Sequence, residues 1–348
     1  MHVRPWMTLL ILLPIAGCLD DEAPPGVPEV ADDRTPAQRA LADVPAMQFD
    51  IGEAILWWED IATNYPKHDS NLPTNQLLRE HLIAELQSIG LSVEVRSYAT
   101  SYLGQELPNM EQPMLQYHAI IGTKAGTVDE RIGLVAHYDT QEATIMGAYD
   151  DASGVAAQFH ICKALAQVEL NHTLACIFFD AEERGLVASQ KYVEDAVATG
   201  EHVYDYVMGY DMTGINWPGH DWSMYMMTGP EEEIPWLQHL GQEIMHEQLG
   251  YPMGGNSSGV VVLDTHDRNS DEMNFKRAGI PIYRFAGGRH AADYPQYHKP
   301  QDTVDYVYEF VLGRANFEKG FTTIVEASYH TALALDAESP ASLRSAYS

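Results

Sequence analysis

Basic residues are scarce in this chain: 20 lysines and arginines stand against 50 aspartates and glutamates over 348 residues, a formal charge of −30. A surface so acidic repels phosphate backbones and anionic headgroups, which argues against nucleic acid or an anionic lipid surface as a partner. Only seven of the basic residues are lysine, a bias that fits solubility in a salty exterior. Cysteine is nearly absent as well. Cys18 lies close to the N-terminus, leaving Cys162 in an apolar helical pattern and Cys176 inside TLACIFF. A disulfide and two buried thiols are both open readings of that pair. Long apolar runs are missing too. The run from Met7 to Ile15 falls far short of the ~20 residues that span a bilayer. No internal repeat is present.

What is there begins with a leader. Residues 1–17 carry Arg4, the apolar run and small residues, as an export signal does. The segment Ile15-Ala16-Gly17-Cys18 resembles a bacterial lipobox, which implies cleavage before a lipidated Cys18 as the chain's only tie to a membrane. Leu19 directly after it leans towards the outer membrane under the sorting rule of enteric bacteria. Residues 18–44 are acidic and proline-rich, the composition of a tether. Residues 45–340 are expected to form one domain, since 45% of the chain is hydrophobic and no second linker interrupts it.

Within that domain, helical and extended patterns alternate. Helices are expected over 75–90, 153–169, 185–198 and 234–249, with a last one through Phe321, Val325 and Tyr329. Strands are expected at 91–98, 114–123, 131–139, 173–179, 204–210, 222–229 and 280–285. Continuous apolar strands separated by helices imply an α/β fold, a three-layer α/β/α sandwich around a mainly parallel mixed sheet. Ligands of such sheets collect beyond the carboxyl ends of the strands.

Five places meet that demand. His137 and Asp139 end one strand, Asp150 and Asp151 occupy the next loop, and Glu182 and Glu183 follow TLACIFF. Asp211 follows YDYVMGY, and His298 lies in YHKPQDT beyond the last strand. Any one of these is most often a solvated or capping residue; their shared edge is what points to a site. Imidazoles and carboxylates without thiolates suit zinc with open coordination positions, and a carboxylate can bridge two ions. Asp139, two residues from His137 in an extended segment, is expected to accept the imidazole N–H. Adjacent glutamates project differently, so one can ligate while the other takes a proton from the attacking water.

The motifs HYD, YDDASG, AEERGLVAS, YDMTG, SDEMNFKRAGIPI and YHKPQDT, in this order over roughly residues 75–335, resemble the co-catalytic zinc aminopeptidases of metallopeptidase family twenty-eight, of the bacterial leucyl aminopeptidase type. The resemblance implies the zinc-exopeptidase fold, two zinc ions and a peptide substrate. Asp150 would bridge the ions, with His137 and Asp211 completing one and Glu183 and His298 the other. Glu182 would be the general base and acid, and Tyr297 a donor to the oxyanion. Asp151 would be a geometric residue or a helix-terminal charge, with a strained peptide linking it to Asp150.

The chain departs from the family at Ser270-Asp271-Glu272, where Ser-Asp-His is frequent. Two alternatives share the superfamily. One is a glutaminyl cyclase, an acyltransferase, which the intact DDASG and GLVAS disfavour. The other is a carboxypeptidase, in which Arg284 and Arg289 would hold the terminal carboxylate. A receptor-like relative without catalysis is disfavoured by the complete ligand set.

Overall fold

Strand sequence and strand position agree. In a computed structural model of the protein, the described residues are 32–42, 44–101, 114–214, 222–253, 259–264, 270–287 and 293–348. The alternating segment β1 (Ser92–Thr100) lies at a half-exposed sheet edge beside β2 (Leu115–Lys124). The continuous apolar segments β3 (Arg131–His137), β4 (Thr173–Phe179) and β5 (Tyr204–Tyr210) lie inside, buried on both faces. With β6 (Trp222–Gly229), β7 (Gly259–Asp264) and β8 (Ile282–Ala286), the order is β1-β2-β4-β3-β5-β8-β6-β7. β4, β3, β5 and β8 run parallel, and so do β6 and β7; the remaining pairs are antiparallel.

Helices α1 (Pro36–Leu41), α2 (Ile51–Asn64), α3 (Pro73–Ser88), α4 (Ala152–Leu165), α5 (Val187–Tyr192), α6 (Ile234–Gln242), α7 (Glu272–Arg277), α8 (Val304–Phe310), α9 (Arg314–Asp336) and α10 (Pro340–Tyr347) cover the sheet. One face packs Trp58, Leu82, Phe159, Leu237 and Phe321 against Ile132 and Leu134 of β3. The other packs Tyr192 and Phe275 against Val135, Ile177 and Val207. This is the expected three-layer sandwich. α5 and α6 each run on into a wider π-type turn, Val193–Val197 and Glu243–Gln248, so the expected helices at 185–198 and 234–249 are single elements with a changed pitch.

Two expected boundaries move. The tether stops short of residue 44: the folded unit begins at Arg34, and α1, capped by Thr35, buries Pro36 and Ala37. At the other end α10 extends the domain past residue 340, burying Leu343 while the Tyr347 hydroxyl accepts a hydrogen bond from the Ala37 N–H. Cys162 of α4 and Cys176 of β4 form a disulfide with Cα atoms 6.3 Å apart, which resolves the open alternative. The leader and Cys18 lie outside the described residues, and among those residues no helix is long and apolar enough to cross a membrane.

Candidate metal centre

Register brings the strand ends together. His137 pairs with Phe179 across β3 and β4, and Tyr210 with Phe285 across β5 and β8, so the residues that follow open onto one edge. His137, Asp150 and Asp211 offer ligand atoms within 4.8 Å of one another, and so do Asp150, Glu183 and His298. Asp150 belongs to both groups, as a bridging carboxylate would. His137 Nε2 lies 3.4 Å from Asp150 Oδ1, while His298 Nε2 lies 3.4 Å from Asp150 Oδ2 and 3.1 Å from Glu183 Oε2.

The loop carrying Asp150 is fixed from below. Asp302, fully buried, accepts the backbone N–H groups of Tyr149 and Asp150 at 3.0 Å and the Tyr294 hydroxyl at 2.9 Å. Burial raises its carboxyl to about 7 against these donors, which favour the charged form. The Asp150–Asp151 peptide is cis. Asp151 takes both roles foreseen for it: Oδ1 caps α4 by accepting the Gly154 N–H at 2.9 Å and also accepts the Met212 N–H at 3.0 Å. A Cβ at residue 154 would meet that carboxylate at 2.4 Å, which explains the glycine of DDASG. The Ser153 hydroxyl donates to Tyr149 O at 2.7 Å and accepts the Thr213 N–H at 3.0 Å. The motif thus locks the Asp150 loop to the Asp211 loop.

Asp139 corrects one expectation. His137 Nδ1 faces the backbone carbonyl of Asp139 at 3.0 Å, whereas the Asp139 carboxylate is 3.6 Å away. The carbonyl fixes the tautomer that turns Nε2 to the centre. The carboxylate instead accepts the N–H groups of Glu182 at 3.0 Å and Glu183 at 3.3 Å, and so positions the glutamate pair. Below that pair Asp180, raised to about 8 by burial, accepts the Ser70 hydroxyl at 2.8 Å and the Asn75 amide at 3.1 Å. Ala181, Leu186, Met212 and His298 all adopt positive φ, so backbone strain gathers on the residues flanking the glutamate pair, beside Asp211 and at His298 itself.

Glu182, Glu183, Tyr297 and His298 line a cleft of about 410 Å³ with Gly185, Leu186 and Arg277. The Tyr297 ring stacks on the His298 imidazole at a centroid distance of 3.7 Å. Desolvation, reinforced by Asp211 and Glu183 and opposed by His137, raises Glu182 well above the usual carboxylate range. Burial likewise raises Glu183 to about 7. Burial lowers the His298 imidazole, but its hydrogen bonds to the Asp150 and Glu183 carboxylates outweigh that and hold it up at about 10. Carboxyls raised in this way by burial are ones that a nearby cation would satisfy. Glu183 Oε1 is buried without a hydrogen-bond partner, as an oxygen kept for a cation is. The donor set fits zinc: imidazole and carboxylate without thiolate, with Asp150 common to both groups.

Arg284 is not available to a substrate carboxylate. It is buried, with Nη2 2.7 Å from Asp211 Oδ2 and Nη1 3.4 Å from Glu272 Oε1. Arg289 lies outside the described residues. Sequence reasoning missed Asp302, although it stands inside YHKPQDT; an acid four residues beyond a ligand histidine was the available signal.

The family model described as Peptidase family M28 matches residues 118–317. The chain belongs to this family. Among the M28 relatives, Aminopeptidase YwaD of Bacillus subtilis is 25% identical over 187 residues, covering 52% of this chain and 38% of that protein. Leucine aminopeptidase 2 of Trichophyton rubrum is 28% identical over 212 residues, 54% of this chain and 40% of its own length. The matched segments therefore span about two fifths of these curated relatives. The structure of BSAP, a zinc aminopeptidase from Bacillus subtilis, superposes with a TM-score of 0.65 at 14% identity, over 82% of this chain and 96% of that one. Porphyromonas gingivalis glutaminyl cyclase superposes with a TM-score of 0.63 at 19% identity, over 81% of this chain and 98% of its own. The M28 fold alone therefore does not separate peptidase from cyclase.

Proposed function

We propose that the protein is an exported zinc aminopeptidase that removes N-terminal residues from peptides at a two-cation centre. The observation that carries this reading is the pair of ligand groups sharing Asp150. His137, Asp150 and Asp211 would hold one zinc ion, and Asp150, Glu183 and His298 the other. Zinc, when bound, supplies Lewis-acid polarisation of the scissile carbonyl and a lowered pKa for water. Glu182 is not in either group, yet the Asp139 carboxylate holds its backbone and it faces the cleft. It is placed to take the proton of the attacking water and return it to the leaving amine. Tyr297, beside His298 in the same cleft, donates its hydroxyl to the developing oxyanion. The concentration of carboxylates favours a free, positively charged amine over an acylated terminus.

The test is kcat/KM for leucine p-nitroanilide against its N-acetyl form on zinc-reconstituted protein. Hydrolysis confined to the free amine supports the reading; comparable rates on both reject it. Release of ammonia from N-terminal glutaminyl peptides without chain cleavage would mark a cyclase instead. Export rests on the leader and on IAGC before the acidic, proline-rich segment. Mass spectrometry of membrane-extracted protein should find a lipidated Cys18 as the first residue, and an unmodified terminus elsewhere contradicts it.

A further inference from the structure

We propose that Arg284 is a positioning residue for Asp211 and makes the His137, Asp150 and Asp211 position the weaker of the two cation positions, filled second. The inference rests on the two-cation reading above. Arg284 stands on β8 opposite Gly209 of β5, one strand from the loop that carries Asp211. Its Nη2 donates to Asp211 Oδ2 at 2.7 Å in a buried setting, where a charge-assisted bond is strong and geometrically defining. One oxygen of this ligand is thereby engaged by a permanent cation, because a guanidinium does not give up its proton. That charge opposes an arriving dication through a poorly screened interior. At the other position the partner of Glu183 Oε2 and of Asp150 Oδ2 is the imidazole of His298, itself a ligand candidate there.

The arginine is built in rather than incidental. Glu272, at the position where this chain departs from the frequent Ser-Asp-His, lies 3.4 Å from Arg284 Nη1 and offsets part of its charge. Room for the Glu272 carboxylate comes from Gly209, where a Cβ would lie 2.6 Å from Glu272 Oε2. Residues 209, 272 and 284, from three different elements, thus form one arrangement aimed at Asp211.

The experiment is a zinc titration of the metal-stripped full chain against a chromophoric chelator, which reads two dissociation constants without using activity. The wild type should bind two equivalents in separated steps, and Asp211→Asn should remove the weaker step while leaving the tighter one. Arg284→Met should tighten the weaker step by about tenfold or more, the scale on which partners of metal ligands act, and Arg284→Lys should keep the gap. Should Arg284→Met fail to fold, Glu272→Gln carries the test in the opposite direction, since loss of the offsetting acid should widen the gap. A gap indifferent to Arg284→Met or Glu272→Gln, or a weaker step that weakens further in Arg284→Met, overturns the inference. A wild type that saturates at one equivalent overturns the two-cation reading and this inference with it.

Discussion

Glu182 and Glu183 are neighbours in the chain that stand in different surroundings. Glu183 reaches His298 at 3.1 Å and shares a ligand group with Asp150, whereas Glu182 belongs to neither ligand group and faces the cleft. Glu182→Gln should therefore keep both zinc ions and lose on the order of 10²–10⁴ in kcat, the usual scale of general-base catalysis. Metal analysis alongside kinetics checks this, and near-normal turnover with both ions bound would contradict it. The five ligand candidates were legible from strand ends and motif order: His137 ends β3, and the resemblance chose Asp150 over Asp151 and Glu183 over Glu182. Their supports were not. Asp302 and Arg284 act through contacts between segments far apart in sequence, and no local pattern reveals that Asp139 reaches the backbone of residues 182 and 183 rather than the imidazole.

At the scale of elements, α4 and β4 are the pair on which the Asp150 loop and the glutamate loop depend. α4 begins at the DDASG cap and β4 ends at the glutamate pair, and the Cys162–Cys176 disulfide joins them across a sequence separation of 14. In the chain-entropy view a loop of this size contributes about 3 kcal/mol. Replacing both cysteines with alanine should cost about that in a denaturant titration while leaving zinc stoichiometry unchanged. The central strands and the helices α3, α4, α6 and α9 were legible because continuous apolar runs and amphipathic stripes mark them, whereas the 14-residue α2 was not. α1 and α10 were not: each is short, sits next to acidic or proline-containing sequence, and gains its stability by docking. Ala37 is buried, and its N–H donates to the hydroxyl of Tyr347 from the far end of the chain.

For the whole molecule, a formal charge of −30 and buried acids whose carboxyls burial raises tie stability to pH. His172 sits between Asp336 of α9 and Asp205 of β5, at 3.1 and 3.2 Å. Burial lowers its imidazole, but these two acids outweigh it and raise it from 6.5 to about 9. Its contribution is fully present below about 6.5 and is lost as pH rises through about 9. Asp180 and Asp271, both raised to about 8 by burial, act in the same direction, since the folded state holds protons the unfolded state releases. The metal-stripped protein should melt at progressively lower temperature from pH 6.5 to 9, and His172→Gln should flatten that slope. A melting temperature that rises across this window would contradict the assignment. The centre itself is tested most directly by anomalous diffraction at the zinc edge from crystals of the reconstituted protein. Two peaks flanking the Asp150 carboxylate, one against His137 and Asp211 and the other against Glu183 and His298, are the expected result; a single peak, or peaks away from Asp150, would contradict it.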